Sequence, residues 1–343
     1  MDFKYVPVLR YRSIEIEALK SLNISEKTMP LLEIITELPP NSYEADFKDG
    51  YLQDLHCFSY PVMIDIPIYM NINKGTKESV SSFINKFKEN TSLKINYYQK
   101  LYENHNLIPV ISYNPKVQYK EGSFINDCER LKPFFERIAF RIFKSNNIES
   151  QLNDIELVIS KNDILIYDID TSKPTNIQVY QNIRAINTLK RSIGFTSIII
   201  RSAINANVIL NRMVDNTMEY NADNSLLEWY SEFNFNAFGD YAGIRKDRTI
   251  QKGGGSIPSA GFLFYSWEGN KFIGFKGRFP KWTEFTNHIK LTVKQSKSWR
   301  NYSYKHHINC PGCLNLLSTE NNNPSYWKRI SIQHYIYTME ENL

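Results

Sequence analysis

Apolar residues in this chain come in short runs, and eight of the runs end in one charged or hydrogen-bonding residue. They are YVPVLR ending at Arg10, MPLLE at Glu33, PVMID at Asp65, LIPVIS at Ser112, RIAFR at Arg141, DILIYD at Asp168, TSIIIR at Arg201 and FNAFGD at Asp240. Their starts lie roughly 25 to 35 residues apart, the length of one strand, one helix and two short loops. Eight such units predict an α/β fold of the (β/α)8, TIM-like barrel type. An open doubly wound sheet shares the spacing, but eight units match the closure number of the barrel. In a barrel the loops after the C-terminal strand ends build the site, so the terminating polar residues are the first candidates for chemistry.

The segments between the runs carry helix signals. Ser13 is placed to cap a helix with Ile14, Ala18 and Leu22 near one face. Residues 36 to 60, broken by Pro39-Pro40, form the least regular crossover. Helices are predicted over 79–90, around 95–104, in CERLKPFFER up to Pro133, and over 148–160. IQVYQNIRAINTLKRSIG predicts a helix ending at Gly194, and 207–233 a further helical stretch. After the eighth run the character changes. GFLFYSWEGNKFIGFKG predicts two strands about a turn, KWTEFTNHIKLTVKQS a helix, and KRISIQHYIYT a closing strand. The division expected is a barrel over residues 1–250 and a basic, aromatic-rich α+β extension over residues 251–343, packed on the barrel.

Composition changes this picture in one respect. The formal net charge of +5 is divided unevenly: residues 241–343 hold 15 Lys and Arg against 6 Asp and Glu. Trp267, Trp282, Trp299 and Trp327 lie there too. Such a segment attracts polyanions and offers faces for base stacking, or is simply a solvated surface over core aromatics. No apolar run approaches the roughly 18 residues of a membrane span, and MDFKYVPVLRYRSIE holds two arginines and a glutamate where a signal peptide needs an apolar stretch. The expectation is a soluble, cytoplasmic protein without a membrane partner. Four cysteines, Cys57, Cys128, Cys310 and Cys313, are too few and uneven for a disulfide framework.

The candidate chemistry sits at the strand ends. Period-two geometry puts Asp168 on one side with Ile164, Ile166 and Asp170, and Arg201 with Ser197 and Ile199. With those faces inward, the mouth gathers Arg10, Arg141 and Arg201 with Glu33, Asp65, Asp168 and Asp240. Arginines hold phosphates or carboxylates bidentately, and crowded carboxylates bind a divalent cation or shift one another's pKa. Glu33, Asp65, Asp168 and Asp240 are therefore candidate acid–base groups, with Asp168 and Asp170 candidate ligands for Mg2+ or Mn2+. Arg245, Lys246, Arg248 and Lys252 around Gly253-Gly254-Gly255 add candidates for holding an anion. The opposite reading is that the same charges pair and only lock the strands together. In HHINCPGC, Cys310 and Cys313 with His307 are an alternative zinc set, the fourth ligand coming from His306, which its adjacency to His307 disfavours, or from the distant His288 or His334. A turn carrying two free thiols is the reading preferred over zinc, and a redox role lacks a thioredoxin-like setting. Motifs of serine hydrolases, zincins, P-loop proteins and dinucleotide binders are absent.

The opening YVPVLRYRSIEIEALKSL with MPLLEI, the strand endings PVMIDIP, RIAFRI, TSIIIRSA and FGDYAGI, and the closing WKRISIQHYIY resemble the bacteriophage beta protein family and its bacterial relatives. Two departures stand out: Tyr335 where the family's closing pair has its second histidine, and the Cys310–Cys313 segment. The resemblance implies a setting, phage genomes and bacterial islands associated with antiviral defence, and no established reaction. The functional expectation is a metal-assisted hydrolase acting on a nucleotide or nucleic acid. The alternative is a non-enzymatic module binding nucleic acid or a phage component through Lys294, Lys297 and Arg300, or a subunit of a defence complex.

Overall fold

The computed structural model describes residues 2–39, 46–113, 123–145, 148–204, 208, 210, 213, 215–222, 224–244, 246 and 259–343. Every apolar run forms a strand. They are β1 (Tyr5–Arg10), β2 (Leu31–Glu33), β3 (Val62–Asp65), β4 (Leu107–Ser112), β5 (Ala139–Phe143), β6 (Ile164–Asp168) and β7 (Thr196–Ile200); after β8 (Thr217–Asn221) comes β9 (Ala237–Asp240). All but β8 pair in parallel in chain order, and β9 returns to β1, with Tyr5 opposite Phe238 and Pro7 opposite Asp240. The barrel is closed. A Cβ at Gly239 would lie 2.6 Å from the Val6 carbonyl oxygen, so this closing pair requires glycine.

Alternate strand residues sort onto two sides. Val6, Val8, Leu31, Met63, Val110, Ala139, Ile166, Ile198 and Ile200 fill the barrel interior. Tyr5, Leu9, Leu32, Ile64, Phe140, Leu165, Ile199 and Phe238 pack outward against the helices. Both sides of each strand are buried, which is why the runs read as continuous apolar stretches rather than alternating ones.

The helical layer follows from local signals. It comprises α1 (Ser13–Lys20), α2 (Phe47–Leu55), α3 (Glu78–Glu89), α4 (Leu93–Gln99), α5 (Ser123–Leu131), α6 (Glu149–Glu156) and α7 (Ile177–Ile193). In α7 the Asn176 carboxamide accepts from Gln178 N and Val179 N; Val179, Ile183, Ile186 and Leu189 are buried, and Gly194 ends the helix at φ +88°. Ser13 is the first helical residue of α1 rather than its cap; Arg12 holds that place and pairs with Glu15. The helix expected across 207–233 is replaced by β8 and the short α8 (Leu226–Trp229).

β10 (Gly261–Ser266) and β11 (Lys271–Lys276) form the expected hairpin, and β8 completes an antiparallel sheet beside β11. A strand from within the barrel's last crossover thus belongs to the extension's sheet, and the boundary at residue 250 is crossed. A π-helical turn (Phe285–Ile289) leads into α9 (Lys290–Gln295), α10 (Lys297–Arg300), α11 (Tyr304–Asn309), α12 (Pro311–Ser318) and α13 (Pro324–Glu341). The predicted closing strand is the middle of α13. Asn323 caps this helix and Pro324 opens it, both start signals. Its period was hidden because it is buried all round: Trp327 and Ile330 join the extension's core, while Ile332, Tyr335, Ile336 and Met339 join the barrel–helix core. Trp299 and Trp327 are core residues there, not stacking platforms. Among the described residues no helix is long and apolar enough to cross a membrane.

Candidate functional site

Six strands carry a polar residue on their inward side near the C-terminal end. Arg10, Glu33, Asp65, Ser112, Arg141 and Asp168 continue the interior positions of β1 to β6, above the apolar filling of the barrel. Arg141 does not end its strand, since β5 runs on to Phe143. Its guanidinium therefore starts lower and lies at the centre of the others, fully buried. It donates to Glu33 Oε1 at 2.9 Å, Asp65 Oδ2 at 3.0 Å, Asp168 Oδ2 at 2.7 Å and the Tyr241 hydroxyl at 2.8 Å.

Each carboxylate has a further partner. Lys94 Nζ lies 3.3 Å from Asp65, whose Oδ1 also accepts from Ser112. Tyr69 donates to Glu33, and Arg10 Nε lies 3.8 Å from its other oxygen. Asp168 accepts from Tyr241 at 2.6 Å and from Lys246 at 3.0 Å. Burial works to raise the Asp168 carboxyl, but Lys246 and Arg141 hold it well below the usual carboxylate range. Burial pulls the Lys94 ammonium below its ordinary value, and Asp65 restores only part of that. The mouth is thus a network of paired groups with Lys246 at its outer edge. Lys246 Nζ bridges Asp168 Oδ1 and Asp170 Oδ1, at 3.0 and 3.3 Å, over the rings of Tyr69, Phe143 and Tyr241.

Two expected members lie elsewhere. Asp168 pairs in register with Ile200, so Arg201, one residue on, faces outward; it donates to Ser225 Oγ and the Thr171 carbonyl. Asp240 is also outward, accepting from Tyr5 at 2.9 Å, Tyr335 at 2.6 Å and Ala242 N at 2.8 Å. Burial pushes its carboxyl up to about 6, against these hydrogen bonds. Asp170 sits on the lip, exposed, at φ +58°. Arg245, Arg248, Lys252 and Gly253-Gly254-Gly255 lie outside the described residues. His307 stacks on Trp299, whereas Cys310 and Cys313 meet His306 and His334 in the extension.

Sequence reading missed Tyr69, Lys94, Tyr241 and Lys246 as partners of these carboxylates. Tyr241 was within reach, because it keeps the inward parity of Gly239. Lys94 left a weaker signal, a lysine on the apolar side of α4 beside Ile95 and Tyr98. Tyr69 comes from a loop whose path no pattern gives.

A second feature opens on the same face. A cleft of about 720 Å3 is lined by Tyr11, Arg12 and Ser13 after β1, Ile35 to Pro39 after β2, and the start of α3 from Lys77 to Lys86. It adjoins the mouth through the chain, one or two residues beyond Arg10 and Glu33.

A closed parallel eight-stranded barrel with an ion-paired mouth and an α+β extension defines a (β/α)8-barrel protein. The chain matches the Beta protein family over residues 5–340, nearly its whole length, and belongs to that family. No curated protein matches it.

Proposed function

We propose that the protein binds a phosphate-bearing ligand of nucleotide size on the C-terminal face of its barrel, in the cleft beside the mouth. The observation that carries this reading is the lining of the cleft: Arg12, which pairs with Glu15, Lys86, which lies 3.7 Å from Glu37, and Lys77, with Ser13, Ser79 and Ser82 among them. Residues from the first turns of α1 and α3 line it, which places it near the positive ends of both helix dipoles. Its size falls within the range of small-molecule sites, about 300–1,000 Å3. The paired network of the mouth fixes the strand ends from which the cleft's loops spring. The setting implied by the family resemblance, phage genomes and defence islands, makes a nucleotide or nucleic acid the ligand to try first.

Metal-assisted hydrolysis at the mouth is the second reading, favoured by the position of Lys246. Its ammonium bridges one oxygen each of Asp168 and Asp170, an arrangement a divalent cation also takes. This reading requires Lys246 to leave.

The test is titration calorimetry of the full chain with nucleoside triphosphates and pyrophosphate, with and without Mn2+. Lys77→Ala and Lys86→Ala are expected to weaken binding about tenfold each, as loss of a charge-assisted contact does. Charge reversal at the exposed Lys294, Lys297 and Arg300 is expected to leave it unchanged. Binding insensitive to the cleft lysines, or sensitive only to the reversal, sinks the proposal and favours a nucleic-acid module acting through the extension. Binding that appears only with Mn2+ and is lost in Asp168→Asn favours the metal reading.

A further inference from the structure

The extension brings together four side chains that the barrel does not use. His306 from α11, Cys310 and Cys313 at the start of α12, and His334 from the middle of α13 are all buried, and their donor atoms lie within 4.8 Å of one another. We propose that these four residues form a closed, structural zinc site that ties the last three helices together.

The spacing of the donors fits the ion. Zinc bonds of about 2.3 Å to sulfur and about 2.0–2.1 Å to nitrogen, at tetrahedral angles, give edges of about 3.3–3.4 Å between nitrogens and about 3.5–3.6 Å between nitrogen and sulfur. His306 Nε2 and His334 Nδ1 are 3.4 Å apart, and both Cys310 Sγ and Cys313 Sγ lie 3.6 Å from His334 Nδ1. The backbone N–H of Cys313 points at Cys310 Sγ across 3.4 Å, a hydrogen bond that favours a thiolate.

The surroundings orient each imidazole for ligation. His306 Nδ1 lies 2.6 Å from the Glu341 carboxylate, and His334 Nε2 lies 2.9 Å from the Tyr265 carbonyl oxygen. A carbonyl only accepts, so His334 Nε2 carries the proton and Nδ1 presents its lone pair to the centre. Glu341 does the same for His306, leaving Nε2 as the donor. His334 is stacked on Phe264 and His306 on Tyr302, which fixes both ring planes. Gly312 lets α12 approach closely enough: a Cβ there would lie 2.5 Å from His334 N. Two thiolates balance the dication, each cysteine releasing its proton on binding, so the buried centre is neutral. Four protein ligands and full burial leave no place for substrate, which makes the site structural rather than catalytic.

Zinc is measured by plasma mass spectrometry on the full chain purified without chelator, and about one ion per chain is expected. Cys310→Ser and His334→Ala are expected to lose it and to melt at lower temperature, while His307→Ala keeps it. Since the first two can fail to fold, the wild-type chain is also reduced, stripped of metal and titrated with Co2+. A thiolate-to-cobalt charge-transfer band and the intense visible bands of a tetrahedral centre are expected. Absence of both zinc and the tetrahedral cobalt spectrum overturns the proposal, as does a Cys310–Cys313 disulfide in the chain as purified.

Discussion

Replacing Arg141 by Met tests the mouth network at its centre. The guanidinium is fully buried and donates to three carboxylates and the Tyr241 hydroxyl. Removing one partner of a buried ion pair typically costs about 3–5 kcal/mol, because the remaining charge stays desolvated. Here each carboxylate keeps one cation: Lys94 for Asp65 at 3.3 Å, Lys246 for Asp168 at 3.0 Å, and Arg10 for Glu33 at 3.8 Å. The loss therefore belongs at the lower end, about 3 kcal/mol at neutral pH, a large part of the roughly 5–15 kcal/mol that holds a domain folded. Its pH dependence follows from Asp168. A carboxyl held below its ordinary value stabilises the fold above the unfolded pKa, and that contribution is lost as pH falls through the folded value. Without Arg141 the contribution is smaller, so the gap between the two proteins holds from pH 8 to pH 5 and narrows as pH falls below about 4, the ordinary carboxylate range. Urea unfolding followed by circular dichroism, with midpoints and slopes compared, reads both effects. A loss below about 1 kcal/mol at pH 7, or an equal loss at pH 7 and about pH 3, refutes the claim that Arg141 neutralises these carboxylates.

Asp240 acts in the opposite sense. With its carboxyl pushed up to about 6, the folded chain keeps a proton that the unfolded chain releases. Its contribution is full below about pH 4, is lost as pH rises to about 6, and amounts to a loss of about 3 kcal/mol at most. Asp240→Asn, whose amide the Tyr5 and Tyr335 hydroxyls can turn to meet, is expected to flatten this part of the profile and melt higher at pH 7.5; identical slopes in thermal melts from pH 4.5 to 7.5 count against it. Two glycines separate backbone strain from crowding. Gly194 has φ +88° and open space around a Cβ, whereas Gly243 has φ +70° and the Tyr335 ring 3.1 Å away. Alanine is expected to cost about 1–2 kcal/mol at Gly194 and clearly more at Gly243, and equal losses in urea would show that the ring gives way freely.

The barrel was legible because each buried strand left a continuous apolar run and each run ended where the chain turned polar. The composition of the mouth was only half legible, for a reason of parity. Asp168 and Arg201 both end apolar runs, but the register pairs Asp168 with Ile200, so one residue separates an inward carboxylate from an outward guanidinium. Asp240 was misplaced by the same single step. Arg141 was found in sequence, yet its central position depends on β5 continuing for two residues beyond it. The extension was least legible where burial is most complete. α13 has no polar stripe, so its apolar residues read as a strand, and the two histidines nearest the cysteine pair were separated by a fold that local spacing does not reveal.

α13 also explains why the chain does not divide at residue 250. Successive helical residues point about 100° apart, and His334 and Tyr335 use that difference. His334 turns to Phe264 and the cysteines of α12, while Tyr335 turns to the barrel wall and donates to Asp240. On the barrel side the helix is further held by Lys328 to Glu15 at 2.7 Å and Arg329 to Glu17 at 2.9 Å, both on α1. A chain ending at 250 would take one phenol from Asp240, expose the outward side of β1 and α1, and strip β8 of β11, its partner in the sheet. The residue standing where the resemblance leads one to expect a second closing histidine is thus one of those that join the extension to the barrel. A histidine there would still place a donor near Asp240, but it would lose the ring that packs on Phe272 and Gly243.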